Sequence, residues 1–374
     1  MNSIDASLPD EPVVSIGMAT YNHEKYIARA IESVLMQEVT FSYELVIAED
    51  CSTDHTREIV QKYQKKYPEV IRLILHEKNI GMQKNSNCLR RACRGKYRAN
   101  LEGDDYWLFS DKLQKQVNFL EEHPDFIATG GDFVCVNDFG APCAFPWGKL
   151  SDTYCQDDEY TKEHLERWLL PSHISATLFR NVFRNYSEEE LQQFEEIQVL
   201  GDRRVYMLLV TLGRIRHEKK PVMVRRILTK SSTSFTSAIK KTNWLQINFD
   251  WLCEAERFAK KQLHTSLDLS KRKEMYWLGS LRMFYWHPTK VNFDTSYYIF
   301  KNSSGKMRCI FIFIRAILKK VSCVLERDGI ILTLRKGASV LREYLVSAVK
   351  YALQKEDSLQ EENQSSIATS FSKK

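Results

Sequence analysis

Over the first 130 residues, short β-branched runs alternate with stretches of helical spacing. Val13–Met18 predicts a first strand, which runs into Ala19-Thr20-Tyr21-Asn22. From His23 to Gln37, Tyr26, Ala30 and Val34 share one face beside Ile27, Ile31 and Leu35, the spacing of a helix. Tyr43–Ala48 predicts a second strand ending at Glu49-Asp50, and Ser52-Thr53-Asp54 offer caps for a helix to about Tyr67. Val70–Leu75 predicts a third strand, Met82–Cys93 a polar helix, and Lys96–Leu101 a fourth strand that ends at Glu102-Gly103-Asp104-Asp105. Strand and helix alternating in this way predict βαβ units, hence an α/β fold with a mainly parallel central sheet flanked by helices.

From about 125 to 235 the pattern is mixed. Phe133–Val136, Ile174–Phe179, Arg214–His217 and Val222–Leu228 predict strands, and Asp202–Leu212 predicts a helix closed by Gly213. Beyond Ser231 the spacing is helical, roughly over Trp244–Leu263, Asp268–Phe284, Lys306–Glu326 and Ile330–Leu353. The polar stretch from Glu356 predicts disorder. The expected organisation is two halves of one domain, 12–130 and 131–235, then a helical C-terminal extension over 240–355 and a tail over 356–374.

Composition narrows the picture by exclusion. With 43% hydrophobic and 27% charged residues the chain matches a globular average, which excludes wholesale disorder. The longest uncharged runs, Pro12–His23 and Trp168–Phe179, fall short of the ~18 residues a spanning helix needs. Met1–Pro12 lacks a basic-then-apolar leader, so a cytoplasmic protein is expected. None of the nine cysteines forms a C-x-x-C pair, which removes zinc ribbons and thioredoxin-type motifs. The net charge of +6 is concentrated late: Lys301–Glu356 holds 12 basic and 4 acidic side chains. There Cys309–Ile314 lies between Arg308 and Arg315. This segment suits peripheral contact with an anionic membrane at the cytoplasmic face, or equally helices packing on the catalytic domain or a second subunit. No aromatic-basic module for nucleic acid is present.

Ligands of parallel sheets bind beyond the carboxyl ends of the strands, where Thr20, Asp50 and Asp104-Asp105 fall. Glu102, Asp104 and Asp105 repel one another, and Mn²⁺ or Mg²⁺ bridging a diphosphate would relieve that repulsion. The plainer alternative is a polar loop whose Asp caps the helix beginning near Ser110. Asp50 is suited either to an Asx-type turn or to accepting hydrogen bonds from a nucleobase imide or a sugar hydroxyl.

Taken in order, these blocks resemble family 2 glycosyltransferases. The resemblance is carried by Val14-Ser15-Ile16-x-x-x-Thr20-Tyr21-Asn22, Ser33-Val34-Leu35-Met36-Gln37 and Glu49-Asp50-Cys51-Ser52-Thr53-Asp54. Asn79-Ile80-Gly81, Gly95-Lys96-Tyr97 and Glu102-Gly103-Asp104-Asp105 continue it. It is strong from residue 12 to about 130 and weaker to 235. It implies the nucleotide-diphospho-sugar transferase fold and an inverting transfer. Thr20, with Tyr21 and Asn22, would meet the nucleotide, Asp50 its base, and Glu102 and Asp104 the nucleotide-sugar. Asp104 and Asp105 would hold the metal, or Glu102 with Asp104, which also satisfy the family's acid-x-acid form. Ser86 stands where members often carry Arg, which leaves a phosphate contact to Lys84. Asp202 aligns with the catalytic base, although a helix N-cap explains an Asp there too. His173 and Arg226 are expected near acceptor or phosphate, His173 alternatively being an ordinary hydrogen-bonded histidine. Glu102 and Gly201 depart from the family's commoner Asp and Glu.

The function implied is transfer of one sugar from a UDP-hexose or UDP-N-acetylhexosamine to a glycan or lipid-linked glycan, in bacterial surface polysaccharide synthesis. Absence of Gln-x-x-Arg-Trp and of spanning helices argues against a processive synthase. The alternative is a catalytically inactive nucleotide-sugar-binding or scaffold protein of the same fold. A nucleotidyltransferase would want a Gly-rich basic loop after the first strand, and Thr20-Tyr21-Asn22-His23 is not one.

Overall fold

The computed structural model describes residues 11–146, 149–197, 201–228, 243–286 and 290–302. It divides into compact units at 1–299 and 300–374, and of the second only residues 300–302 are described. The expected helices Lys306–Glu326 and Ile330–Leu353, the Cys309–Ile314 segment with its flanking arginines and the polar tail lie outside the described residues.

Strands β1 (Val14–Thr20), β2 (Tyr43–Glu49), β3 (Ile71–Leu75) and β4 (Tyr97–Glu102) pair in parallel in the order β3-β2-β1-β4. Helices α1 (Ile27–Leu35), α2 (Thr56–Lys66) and α3 (Met82–Ala92) follow the first three. β1 is buried at six of its seven positions because helices cover both faces, which explains its near-continuous apolar run. The short β5 (Tyr106–Trp107) and α4 (Lys112–Glu122) lead to β6 (Phe126–Asn137), β7 (Glu159–Tyr160) and α5 (Lys162–Glu166). β8 (Leu178–Arg180), α6 (Glu188–Glu195), α7 (Gly201–Leu212) and β9 (Arg214–Ile227) come next. β8 joins β4 to β6, both antiparallel, and β9 lies parallel to β6.

Three local expectations differ. The first helix starts at Ile27, after a turn over His23–Tyr26. Ile174–Phe179 divides into a 3-10 turn, Ile174–Ala176, and β8, because distant side chains claim its carbonyls: Trp107 Nε1 donates to Ser175 O (2.7 Å) and Gln116 Nε2 to Ala176 O (3.0 Å). Arg214–His217 and Val222–Leu228 fuse into β9, whose Pro221 sits at a register shift opposite Asp132. Pro is tolerated at such a bulge, where no ladder N–H is needed. Gly131 permits the irregularity, since a Cβ there would meet Lys220 O at 2.9 Å.

Helices α8 (Trp244–Lys261), α9 (Ser270–Trp286) and α10 (Lys290–Asn302) follow. Phe249, Leu252, Ala255 and Phe258 of α8 are buried, and Phe258 meets Phe194 edge-on at 6.1 Å. This helix therefore packs on the α6 side of the domain.

Candidate active site

The loops after β1 and β2 are stapled together at the carboxyl edge. Ser52 Oγ accepts from Asn22 N (3.0 Å), Asn22 Oδ1 from Thr53 N (2.8 Å), and Asp54 Oδ2 from Glu24 N (3.1 Å). The expected cap residues of α2 thus tie two loops together, and only Asp54 also reaches the helix, at Thr56 N. Asn22 (φ 56) and Cys51 (φ 58) hold the left-handed conformation, rare for a side chain such as Cys. A cavity of ≈ 260 Å³ lined by Asn22, Tyr26, Asp54 and Asp138 opens beside these loops.

Thr20 closes β1, and its hydroxyl lies 3.2 Å from His23 Nδ1. Gly103 passes directly over this pair; a Cβ there would stand 2.7 Å from Thr20 Oγ1. That close approach is why a glycine interrupts the acids. Asp50 is buried, and both its carboxylate oxygens are engaged: Oδ1 accepts from Ile80 N (2.8 Å) and Oδ2 from Gly81 N (2.9 Å). It anchors the entry to α3, on whose first turn Lys84 stands exposed. Tyr21 is half-buried on the rim.

Glu102, Asp105 and His173 come together: one donor atom from each lies within 4.8 Å of the others. Asp104 is not among them. It is half-buried, and its carbonyl accepts from Arg226 Nε (3.2 Å). Asp105 is buried, with Oδ1 accepting from Arg226 N at 2.8 Å. Its Oδ2 has no hydrogen-bond partner among the described residues and faces His173 Nδ1 across 4.0 Å. That nitrogen accepts from Ser175 N (3.3 Å), so acceptor confronts acceptor. Burial, then the charges of Asp104 and Glu102, raise Asp105 well above the usual carboxylate range. Glu102 is exposed on the rim, and partial dehydration, then the charges of Asp104 and Asp202, raise its carboxyl above the usual range. Burial, then Arg225, holds His173 well below the ordinary histidine value, hence neutral.

These observations fit a divalent cation. An orphaned buried carboxylate oxygen, a neutral imidazole nitrogen and a second carboxylate converge, and the nitrogen favours Mn²⁺ over Mg²⁺.

Asp202 occupies the first turn of α7, and burial raises its carboxyl against the opposing charges of Arg225 and Arg203. Arg225 also belongs to this group; the sequence pairs it with Arg226 as a basic dipeptide suited to phosphate, and Arg226 is the one expected there. Burial alone would lower it, but Tyr154 and the charges of Asp105, Glu102 and Asp202 raise it. Its guanidinium donates to Tyr154 Oη at 3.3 Å. Arg226 instead lies over the Tyr26 ring (4.4 Å) and donates to Asn137 O (3.1 Å). Neighbours on a strand face opposite ways, so Arg225 turns its charge toward the acids while Arg226 meets them through its backbone N and the Asp104 carbonyl. This arrangement follows from β5 pairing with β9, Tyr106 opposite Val224, and that register is invisible in sequence.

The chain is 43% identical over 112 residues to an uncharacterized protein of Mycobacterium tuberculosis, covering 30% of this chain and 32% of that one. It is 41% identical over 256 residues to chondroitin synthase of Escherichia coli, covering 65% and 33%. The chain thus spans about a third of the length of each relative. Among solved structures, TarS 1–349 of S. aureus in complex with UDP-GlcNAc superposes with a TM-score of 0.53 at 19% identity, covering 77% of this chain and 79% of that one. This likeness shows the shared fold. Residues 15–142 match the family described as Glycosyl transferase family 2.

Proposed function

We propose that the protein is an inverting glycosyltransferase that moves one hexose or N-acetylhexosamine from a UDP-linked donor to a glycan or lipid-linked glycan. The observation that carries this reading is the convergence of Glu102, Asp105 and His173 with the raised carboxyl of Asp202. The relatives agree in kind, one being named a chondroitin synthase and the TarS structure holding UDP-GlcNAc.

Asp50 and the stapled β1 and β2 loops would seat the nucleotide, and Glu102 and Asp104 the sugar. Glu102, Asp105 and His173, with Asp104 at the edge, would hold a divalent cation, which when bound offsets charge on the departing diphosphate. Inverting transfer is an in-line displacement, so the acceptor hydroxyl must lose its proton on the face opposite the leaving group. Asp202 would take that proton, and its raised pKa suits the role because a base works best with a pKa near the operating pH. Arg225 keeps the crowded carboxylates tolerable when no cation is bound.

The division into 12–130, 131–235, 240–355 and 356–374 belongs to this proposal. So does a place at the cytoplasmic face of a bacterial membrane, in surface polysaccharide synthesis. Among the described residues no helix is long and apolar enough to cross a membrane. Release of UDP from UDP-sugars with Mn²⁺ and a panel of glycan acceptors tests the reading. Sugar transfer that depends on Asp202 supports it, while UDP binding without any turnover would leave a scaffold of the same fold.

A further inference from the structure

Behind the sheet, three arginines are sealed from water: Arg90 of α3 is 5% exposed, Arg98 of β4 4% and Arg204 of α7 0%. Guanidinium does not lose its proton in proteins, so each brings a full charge into the interior. Among the described residues one carboxylate, Glu195, reaches the group, 3.5 Å from Arg90 Nη1, and it is shared with Arg91. Arg204 Nη1 donates to the carbonyls of Phe194, Glu195 and Ile197 at the end of α6. Its other edge, Nε and Nη2, donates to nothing among the described residues, and neither do Arg90 Nε and Arg98 Nη1.

The aromatic walls show how close the three lie. Arg90 and Arg204 stand 5.0 and 4.8 Å from the centre of Phe194, and Arg90 and Arg98 5.1 and 6.0 Å from that of Phe183. Burial, then the charges of Arg98 and Arg204, hold Arg90 well below the ordinary arginine value, and Glu195 offsets this less than either. Buried charge without a partner costs several kcal/mol, and orphaned buried donors in a native protein call for an occupant. A neutral water would satisfy donors but leave the charge. An anion does both, and the Nε/Nη2 edge of an arginine is the fork that anions take.

We infer that this group is a buried binding site for a small inorganic anion of chloride's size, held by the free edge of Arg204 with Arg90 and Arg98. Because the three arginines are sealed from water, an ion reaches them only as the packing opens, which favours a small monatomic ion over a larger oxyanion. Bound there, the ion ties α3 and β4, which leads to Glu102 and Asp105, to α7, which carries Asp202 two residues before Arg204. The site is independent of the proposed activity.

Thermal unfolding of the full-length protein tests it, in sodium chloride, bromide or gluconate at one ionic strength. Chloride and bromide should raise Tm saturably, by about 5 °C at a hundredfold excess over Kd, and gluconate should not. Arg98→Met and Arg204→Met should each abolish the halide response. In gluconate Arg98→Met should be at least as stable as wild type, since it removes an uncompensated charge. Bromide-soaked crystals should give an anomalous peak among the three arginines. Equal Tm in halide and gluconate, an undiminished halide response in Arg98→Met, or no bromide peak at the cluster would each overturn the assignment.

Discussion

His173 Nδ1 and Asp105 Oδ2 face each other across 4.0 Å with no proton available from the imidazole side, because that nitrogen already accepts from Ser175 N. The pair is completed by a proton on Asp105 or by a cation, and this choice governs the candidate site. Asp105→Asn and His173→Gln should therefore each weaken Mn²⁺ binding at least ~10-fold by calorimetry. Asp105→Asn should not lower Tm in metal-free buffer, because it relieves repulsion with Glu102 and Asp104. Unchanged Mn²⁺ affinity in both variants would place the metal elsewhere.

Asp50 holds the backbone of Ile80 and Gly81 with both oxygens. Asp50→Ala should cost about 2 kcal/mol in urea unfolding, from two deprived N–H groups. If Asp50 also carries the nucleotide base, donor affinity should fall more steeply than the folded fraction does. A loss of stability with normal donor affinity among folded molecules would confine it to anchoring α3.

Lys112 is buried against the Trp107 ring, 4.1 Å from its centre, with Gln116 Oε1 as acceptor at 2.8 Å. Burial lowers its pKa to about 7. The unfolded chain, near 10.4, binds more protons between those values, so stability should rise as pH climbs from about 7 to 10. The slope approaches 1.36 kcal/mol per pH unit at most. Below pH 7 both states are charged and the contribution is flat. Lys112→Met should be the more stable protein at pH 7, its advantage shrinking toward pH 9. A gap that does not change with pH would mean the ammonium stays charged in the fold.

Asp202 titrates above the usual Asp range because of burial. As a base it must be ionised, so kcat should fall with decreasing pH through that raised value. Asp202→Asn should lose about 10²-fold or more in kcat with donor affinity near wild type. Asn is isosteric with Asp, so the fold should survive. Near-normal turnover by folded Asp202→Asn would reduce the residue to an acid in the first turn of α7, favourable there to the helix dipole.

The parallel half was legible in the chain because its signals are local. Val13–Met18 and Tyr43–Ala48 read as strands from their own side chains, and α/β order places Thr20, Asp50 and the acids after β4 at one edge. What the acids do there was not legible. Glu102 and Asp105 meet His173 from about seventy residues on, where a 3-10 turn forms because Trp107 and Gln116 take its carbonyls. The register of β5 on β9 brings the charge of Arg225 to them and sets the backbone N of Arg226 on Asp105. The arginines behind the sheet come from three separate elements, and nothing in their local spacing marks them as buried. Periodicity reports which way a residue faces on its own element. Only non-local pairing decides what it faces, since that choice depends on hydrogen bonds and burial summed over the folded chain.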